Sequence, residues 1–187
     1  MLTHLPKLVI LDRDGVINID SENYIRTVNQ WSWINQSDTA LCRLIDAQIP
    51  VAIATNQSGL SRGFFDYATL HRMHQKLLDG LGQHAKGIQY IAICPHHPSD
   101  GCECRKPAPG MLNEIANKLS VSLGGDVHFV GDSWRDCQAA LAVNCQPILV
   151  KTGKGQKTLN QLSAAQRQAI PTFDNLNDYV KEVLCNI

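Results

Sequence analysis

Five short β-rich runs recur along the chain, at 8–12, 51–55, 88–94, 127–132 and 147–150, and segments of helical period separate them. That alternation restricts the architecture sharply. Strands that return in the same direction need crossover helices, so the sequence predicts an α/β fold with a parallel sheet. Apolar side chains recur at helical spacing at Leu41, Leu44 and Ile45, at Leu70, Met73, Leu77, Leu78 and Leu81, and at Leu112, Ile115 and Leu119. Pro109 suits the first turn of the third helix, where a missing N–H removes no helical bond. Residues 31–34 alternate, which predicts a hairpin or flap after the first strand with Trp31 and Trp33 on one face as packing residues. The polar stretch 152–168, with Gly153, Lys154, Gly155 and many Gln, predicts a mobile loop leading into terminal helices.

No repeat, low-complexity tract or Pro/Gly linker divides the 187 residues, a length that suits one domain with a sizeable core. Residues 1–187 are therefore read as a single domain, expected to be a monomer. Seventeen Lys and Arg balance seventeen Asp and Glu, so no bulk field draws the chain to nucleic acid or an anionic membrane. The apolar runs at 8–11 and 51–54 are far too short to span a bilayer. Pro6 and Lys7 interrupt the first eleven residues before they could form a signal peptide. The cytoplasm is the expected compartment, and the expected partner is a small molecule recognised at a local site.

The first strand delivers Asp12, Arg13, Asp14 and Gly15. Side chains alternate along a strand, so Asp12 and Asp14 project to one side at its carboxyl end, where open α/β sheets bind ligands. Two close carboxylates repel unless a cation or proton separates them, which suggests one ionised against a metal and the other able to hold a proton. Thr55, Asn56, Gln57 and Ser58 place a hydroxyl, amides and backbone N–H groups at another strand end, suited to phosphate oxygens. Lys106 offers a fixed positive charge, and Asp132 and Asp136 add two carboxylates at a strand-to-helix turn, with Asp132 placed to hold Mg2+. Each piece is weak alone; in this order and on these elements they reinforce one another.

In these motifs the chain resembles the haloacid dehalogenase superfamily of phosphohydrolases over roughly residues 8–150. The resemblance implies a three-layer Rossmann-like sheet, Asp12 as nucleophile and Asp14 as general acid and base. It also implies Thr55 and Lys106 on the transferring phosphoryl group, and Mg2+ held by Asp12, the main-chain carbonyl of Asp14 and Asp132, with Asp136 nearby. A carboxylate can serve as a covalent nucleophile and a neighbouring carboxyl can exchange a proton in each half-reaction, so the chemistry is consistent.

Seven cysteines divide into a cluster and four scattered residues, Cys42, Cys137, Cys145 and Cys185, read as structural thiols. Cys94, His96, Cys102 and Cys104 form C-x-H, five residues, then C-x-C, a four-ligand set for structural Zn2+, with His97 competing for the place of His96. Zinc there would fix the loop that carries Arg105 and Lys106.

This loop resembles two branches of the superfamily: D-glycero-D-manno-heptose 1,7-bisphosphate 7-phosphatases and the phosphatase domains of histidinol-phosphate phosphatases. The runs at 55–59, 61–63, 94–98 and 151–155 favour the heptose branch. That branch implies a phosphosugar substrate, with heptose 1-phosphate leaving for lipopolysaccharide core or related heptose nucleotide synthesis. The spacing between motifs leaves no room for a large cap domain, so specificity should come from loops: Asp20, Ser21, Glu22 and Asn23, then Asn56 to Ser58, then Arg105, with Arg62 as a further candidate. Two other classes compete. A receiver-like phosphoacceptor module would separate its acceptor from its acidic pair, which Asp-x-Asp does not, and a zinc-dependent nucleic-acid module would want a basic stripe that is missing.

Overall fold

The structure is a computed structural model that describes residues 5–185. The first four residues of the stretch weighed as a signal peptide lie outside it. Six strands, β1 (Leu8–Leu11), β2 (Val51–Asn56), β3 (Ile88–Cys94), β4 (Val127–Gly131), β5 (Gln146–Val150) and β6 (Thr172–Phe173), form one sheet in the order β3-β2-β1-β4-β5-β6. Every pairing is parallel. The sixth strand escapes sequence reading because two residues carry no periodicity.

Side-chain alternation splits the strands between two cores, one on each face of the sheet. Val9, Leu11, Val51, Ile53, Val130 and Ile148 pack with α1 (Ser37–Asp46), α2 (Tyr67–Leu81) and α7 (Leu176–Leu184). Leu8, Ile10, Ala52, Ala54, Val127 and Phe129 pack with α3 (Gly110–Leu119) and α4 (Trp134–Leu141) on the other face. This is the three-layer arrangement, and no domain is inserted into it among the described residues. Truncating a wholly buried side chain such as Leu41 to Ala would cost about 2–5 kcal/mol.

Local chemistry sets the helix ends. Asp66 accepts from the Thr69 N–H at 2.7 Å and Asn175 from the Asp178 N–H at 3.0 Å, satisfying donors that the first turns of α2 and α7 leave free. Pro109 stands one residue earlier than expected, at the N-cap of α3 rather than inside its first turn.

Two local expectations need correction. Residues 28–34 form a 3-10 turn at Val28–Gln30 and a single bridge between Asn18 and Trp33, so of the two expected forms the segment is a flap and not a hairpin. Trp31 is wholly buried and meets Trp33 edge to face at 5.0 Å, and Lys76 Nζ donates to the carbonyls of Val28 (3.1 Å) and Trp31 (2.6 Å), fastening the segment to α2. The stretch 152–168 is largely helical, as α5 (Gly155–Gln161) and α6 (Ala164–Ala169). Its polar residues satisfy short helices instead of a loop: Ser163 and Gln166 cap each other, and the Thr158 hydroxyl donates to the Asp132 carbonyl at 2.9 Å.

β1 lies between β2 and β4, so successive connections leave it in opposite directions. The crevice this opens at the carboxyl ends of the strands is the general ligand position of open α/β sheets.

Candidate active site

A cleft of about 350 Å³ occupies that crevice, and Asp12, Asp14, Asn56, Lys106, Asp132 and Asp136 are among the residues lining it. Asp12 follows β1 directly, with its N–H donating to the Val130 carbonyl of β4 at 2.9 Å. Lys106 Nζ is the centre of the charge arrangement. It lies 2.8 Å from Asp12 Oδ1 and 2.8 Å from Asp136 Oδ1, donates to the Ala54 carbonyl at 2.9 Å, and is 2% exposed. Asn56 grips the Lys106 backbone, donating to its carbonyl at 3.2 Å and accepting from its N–H at 3.1 Å.

Ser133 caps α4 and orients Asp136, whose Oδ2 accepts from the Ser133 N–H at 3.0 Å and hydroxyl at 2.6 Å. Asp132 Oδ2 accepts from the Lys154 N–H at 2.7 Å. Gly15 (φ +86°) and Gly153 (φ +56°) face each other across this carboxylate, and a Cβ at either would collide with Asp132 Oδ2. The Thr152 hydroxyl donates to the Gly15 carbonyl at 2.6 Å, so the 152–155 turn is seated on the turn that follows Asp14.

One oxygen from each of Asp12, Asp132 and Asp136 lies within 4.8 Å of the others. Two of these three carboxylates, Asp12 and Asp136, share the Lys106 ammonium, and Asp132 has no ion pair with it. Burial, with Asp136 and Asp14 nearby, pushes Asp12 up to about 7 despite the opposing pull of Lys106. Burial together with Asp12 and Asp136 pushes Asp132 up to about 8 against the Lys154 contact. A hard divalent cation with oxygen ligands would relieve this repulsion, and the donor set fits Mg2+. Lys106 is itself held above the usual lysine range, because its two carboxylates outweigh the burial that would lower it.

Asp14 sits in a different environment. Its carboxylate accepts from Arg13 Nη2 at 3.0 Å through each oxygen, from Asn18 Nδ2 at 2.9 Å and from Gln57 Nε2 at 2.8 Å. Burial alone would raise its pKa, but the Arg13 charge and the bonds from Asn18, Arg13 and Gln57 hold it below the usual carboxylate range. Gln57 also donates to the hydroxyl of Thr55 at 2.8 Å; Thr55 is wholly buried and is not among the residues lining the cleft.

Asp20, Ser21, Glu22, Gln57, Ser58 and Arg105 line the cleft; Asn23 and Arg62 do not. Asn23 uses its carbonyl to accept from Arg26 Nε at 2.9 Å, and the Arg62 guanidinium lies 5.8 Å from the centre of the Tyr24 ring. Sequence reasoning missed Arg13, Tyr24, Ile25, Phe65, Arg135 and Lys154 as lining residues. Lys154 had a signal in its 151–155 run, and its ammonium pairs with Asp20 at 2.7 Å, tying two loops together at the cleft.

The cysteine cluster closes beside the loop that carries Lys106. Cys94 Sγ lies 3.7 Å from both His96 Nδ1 and Cys102 Sγ; Cys104 Sγ lies 3.2 Å from His96 Nδ1 and 3.5 Å from Cys102 Sγ. With Zn–S bonds of about 2.3 Å, the edges of a tetrahedral site are roughly 3.8 Å, so these four atoms are spaced to hold a metal ion. His97 is engaged elsewhere, its Nδ1 on the Ser99 hydroxyl at 2.7 Å. Of the scattered thiols, Cys137 and Cys145 are buried, Cys42 is partly buried and Cys185 is exposed.

A HAD-hydrolase-like family model matches residues 103–179. The chain is 52% identical over 154 residues to a D-glycero-beta-D-manno-heptose-1,7-bisphosphate 7-phosphatase of Pseudomonas aeruginosa, covering 82% of this chain and 86% of that protein. Its counterpart of the same name in Pseudomonas putida is 47% identical over 178 residues, covering 95% and 99%. A crystal structure of D,D-heptose 1,7-bisphosphate phosphatase from B. bronchiseptica, complexed with magnesium and phosphate, superposes with a TM-score of 0.90 at 44% identity, over 96% of this chain and 99% of that one. With a carboxylate cluster built on the same sheet and this degree of identity along nearly the whole length, the chain belongs to the haloacid dehalogenase-like phosphatases, within the heptose-1,7-bisphosphate 7-phosphatase family.

Proposed function

We propose that this protein removes the C7 phosphate of D-glycero-β-D-manno-heptose 1,7-bisphosphate and leaves the C1 phosphate in place. The relatives named for that reaction support the substrate and its β anomer. The observation that carries the chemistry is Lys106 Nζ at 2.8 Å from Asp12 at the mouth of β1, which leaves one carboxylate oxygen pinned and the other free to attack.

An Asp12 oxygen attacks phosphorus as the bond to the C7 oxygen breaks, and that oxygen takes a proton from the Asp14 carboxyl; because Arg13, Asn18 and Gln57 hold Asp14 as a carboxylate before substrate binds, it must first take up that proton, which the approaching negative charge of the phosphate would favour. Asp14, now a carboxylate, accepts a proton from water as the water oxygen attacks the aspartyl phosphate. Inorganic phosphate leaves and Asp12 is restored. Lys106 neutralises charge on the transferring group and the backbone of 56–58 presents donors to it, while Thr55, buried outside the cleft lining, acts through Gln57, from whose amide its hydroxyl accepts at 2.8 Å. Mg2+, held by Asp12, Asp132 and the Asp14 carbonyl with Asp136 nearby, would supply further charge stabilisation to the phosphoryl oxygens. Cys94, His96, Cys102 and Cys104 would hold Zn2+ as a structural ion that fixes Arg105 and Lys106.

Asp20, Ser21, Glu22 and Gln57 offer acceptors and donors to sugar hydroxyls, and Arg105 is the proposed handle for the second phosphate. The chain would work as a single-domain monomer in the cytoplasm; among the described residues no helix is long and apolar enough to cross a membrane. The test is a steady-state comparison of the β-heptose bisphosphate, histidinol phosphate and a generic phosphate ester, with phosphorus NMR of the product. Retention of the anomeric phosphate and preference for the bisphosphate are expected. Preference for histidinol phosphate would overturn the substrate.

A further inference from the structure

Arg13, the residue between the two motif aspartates, is a buried arginine at 1% exposure, and its fork divides between two partners. Nη2 spans both oxygens of Asp14 at 3.0 Å, and Nη1 meets Nε2 of His74 at 3.2 Å. His74 comes from α2, sixty-one positions away, and is itself buried at 8% exposure. His71, three residues earlier on the same helix, is exposed.

A guanidinium adjacent in sequence to its carboxylate can take many orientations, so one that holds both oxygens at equal distance needs an anchor at its other end. His74 is that anchor. Burial and the Arg13 charge press His74 down to about 3, so the ring stays neutral and Nε2 remains an acceptor for the Arg13 N–H. Stability alone is a poor explanation for the arrangement. Arg13 Nε is buried with no hydrogen-bond partner among the described residues, and Asp14 is the only carboxylate paired with Arg13 there. A buried, incompletely satisfied charge is costly to keep.

We infer that His74 and Arg13 are positioning residues for the proposed reaction: His74 fixes the Arg13 fork, and the fork sets the direction in which the Asp14 carboxyl meets the leaving oxygen. This rests on the reading of Asp14 as general acid. It predicts a defect that depends on the leaving group. An alkoxide needs a well-aimed proton, whereas nitrophenolate departs without one.

The test compares the Mg2+-loaded enzyme on heptose bisphosphate and on p-nitrophenyl phosphate, under single-turnover conditions that isolate phosphoryl transfer to Asp12. His74→Leu should slow transfer from the sugar phosphate by about tenfold or more, within the range that general acid catalysis supplies, with little change for the aryl phosphate and little change in KM. His74→Gln, whose amide oxygen can accept from Arg13, should restore most of the loss. Arg13→Met, which also removes the buried charge, gives a second route to the same selectivity if His74→Leu folds poorly.

Equal losses on both substrates, no loss on either, or no rescue by Gln would overturn the inference. Asp14→Asn on the same pair separates the two levels. If it lacks leaving-group selectivity, the general-acid reading falls. If it has that selectivity and both positioning variants lack it, only the present inference falls.

Discussion

Lys106 Nζ and Asp12 Oδ1 are held 2.8 Å apart although they come from separate loops, and a third residue helps to set this distance. Asn56, at the end of β2, clamps the Lys106 backbone from both sides, so the ammonium is aimed before any substrate arrives. Preorganised charge of this kind typically contributes 10²–10³ in rate, so Lys106→Met should lower turnover by about that factor. Asp12→Asn removes the nucleophile, and because uncatalysed hydrolysis of phosphate monoesters is extremely slow, almost no activity should remain. Phosphate-release assays on both variants check this; substantial turnover by Asp12→Asn, with contaminating phosphatase excluded, would defeat the covalent mechanism.

Gly153 makes a separate prediction about the Asp132 carboxylate. A methyl group there would strike Asp132 Oδ2 at a backbone position of positive φ. The carboxylate or the 152–155 turn must then move. Gly153→Ala should weaken Mg2+ activation, raising the Mg2+ concentration for half-maximal rate by about tenfold for a loss near 1.4 kcal/mol, while the far core is untouched. A Mg2+ titration of activity reads the shift directly. An unaltered midpoint would mean that the turn does not position Asp132.

The parts of this site that could be read in sequence are those that ride on strand ends. Asp12, Asp132 and Lys106 meet because β1, β4 and the segment after β3 deliver their carboxyl ends to one crevice, and periodicity locates strands well. Contacts that depend on the third dimension alone gave no signal. His74 looks like any polar residue on an amphipathic helix until α2 is laid across the turn after β1. Lys154 stands in a recognisable run, yet the surrounding Gly and Gln suggest a mobile loop, because composition cannot reveal that Asp132 and Gly15 provide a seat for the turn. The β6 strand is too short for any pattern, and only its pairing with β5 defines it.

The cysteine cluster should carry one tightly held zinc ion per chain, separate from the exchangeable Mg2+. Its four ligand atoms already lie within 4.8 Å of one another, so little rearrangement opposes binding, and the binding energy contributes to folding. Cys102→Ser should lose zinc and unfold at lower temperature than the parent. Elemental analysis and thermal melts measure the two effects; protein prepared without chelator that contains no zinc would contradict the assignment.

Among the described residues the Arg105 guanidinium makes one long hydrogen bond, to the His96 carbonyl at 3.4 Å, so it has donors to spare at the cleft. A planar fork binds phosphate in bidentate fashion, and the scissile group already has Lys106. Arg105→Ala should therefore raise the barrier for the bisphosphate by about 1–3 kcal/mol more than for a simple monophosphate. The ratio of kcat/KM values for the two substrates is the measurement. Equal losses would remove Arg105 as the handle for the second phosphate.

His128 on β4 faces Tyr179 of α7, with Nδ1 2.9 Å from the phenol oxygen, and the imidazole is buried. Burial presses its pKa down to about 4 from 6.5, with Asp126 offsetting only part of the effect. The unfolded chain therefore binds this proton at a higher pH than the native protein does. Between those values the unfolded state is favoured progressively, so the contribution is complete above pH 6.5 and lost as pH falls toward 4, at most about 3 kcal/mol. His128→Gln keeps a hydrogen-bonding partner for Tyr179 but cannot titrate. Urea unfolding at several pH values should show the parent losing stability across that window more steeply than His128→Gln. Parallel curves would mean that acid sensitivity arises elsewhere, among the carboxylates of the cleft.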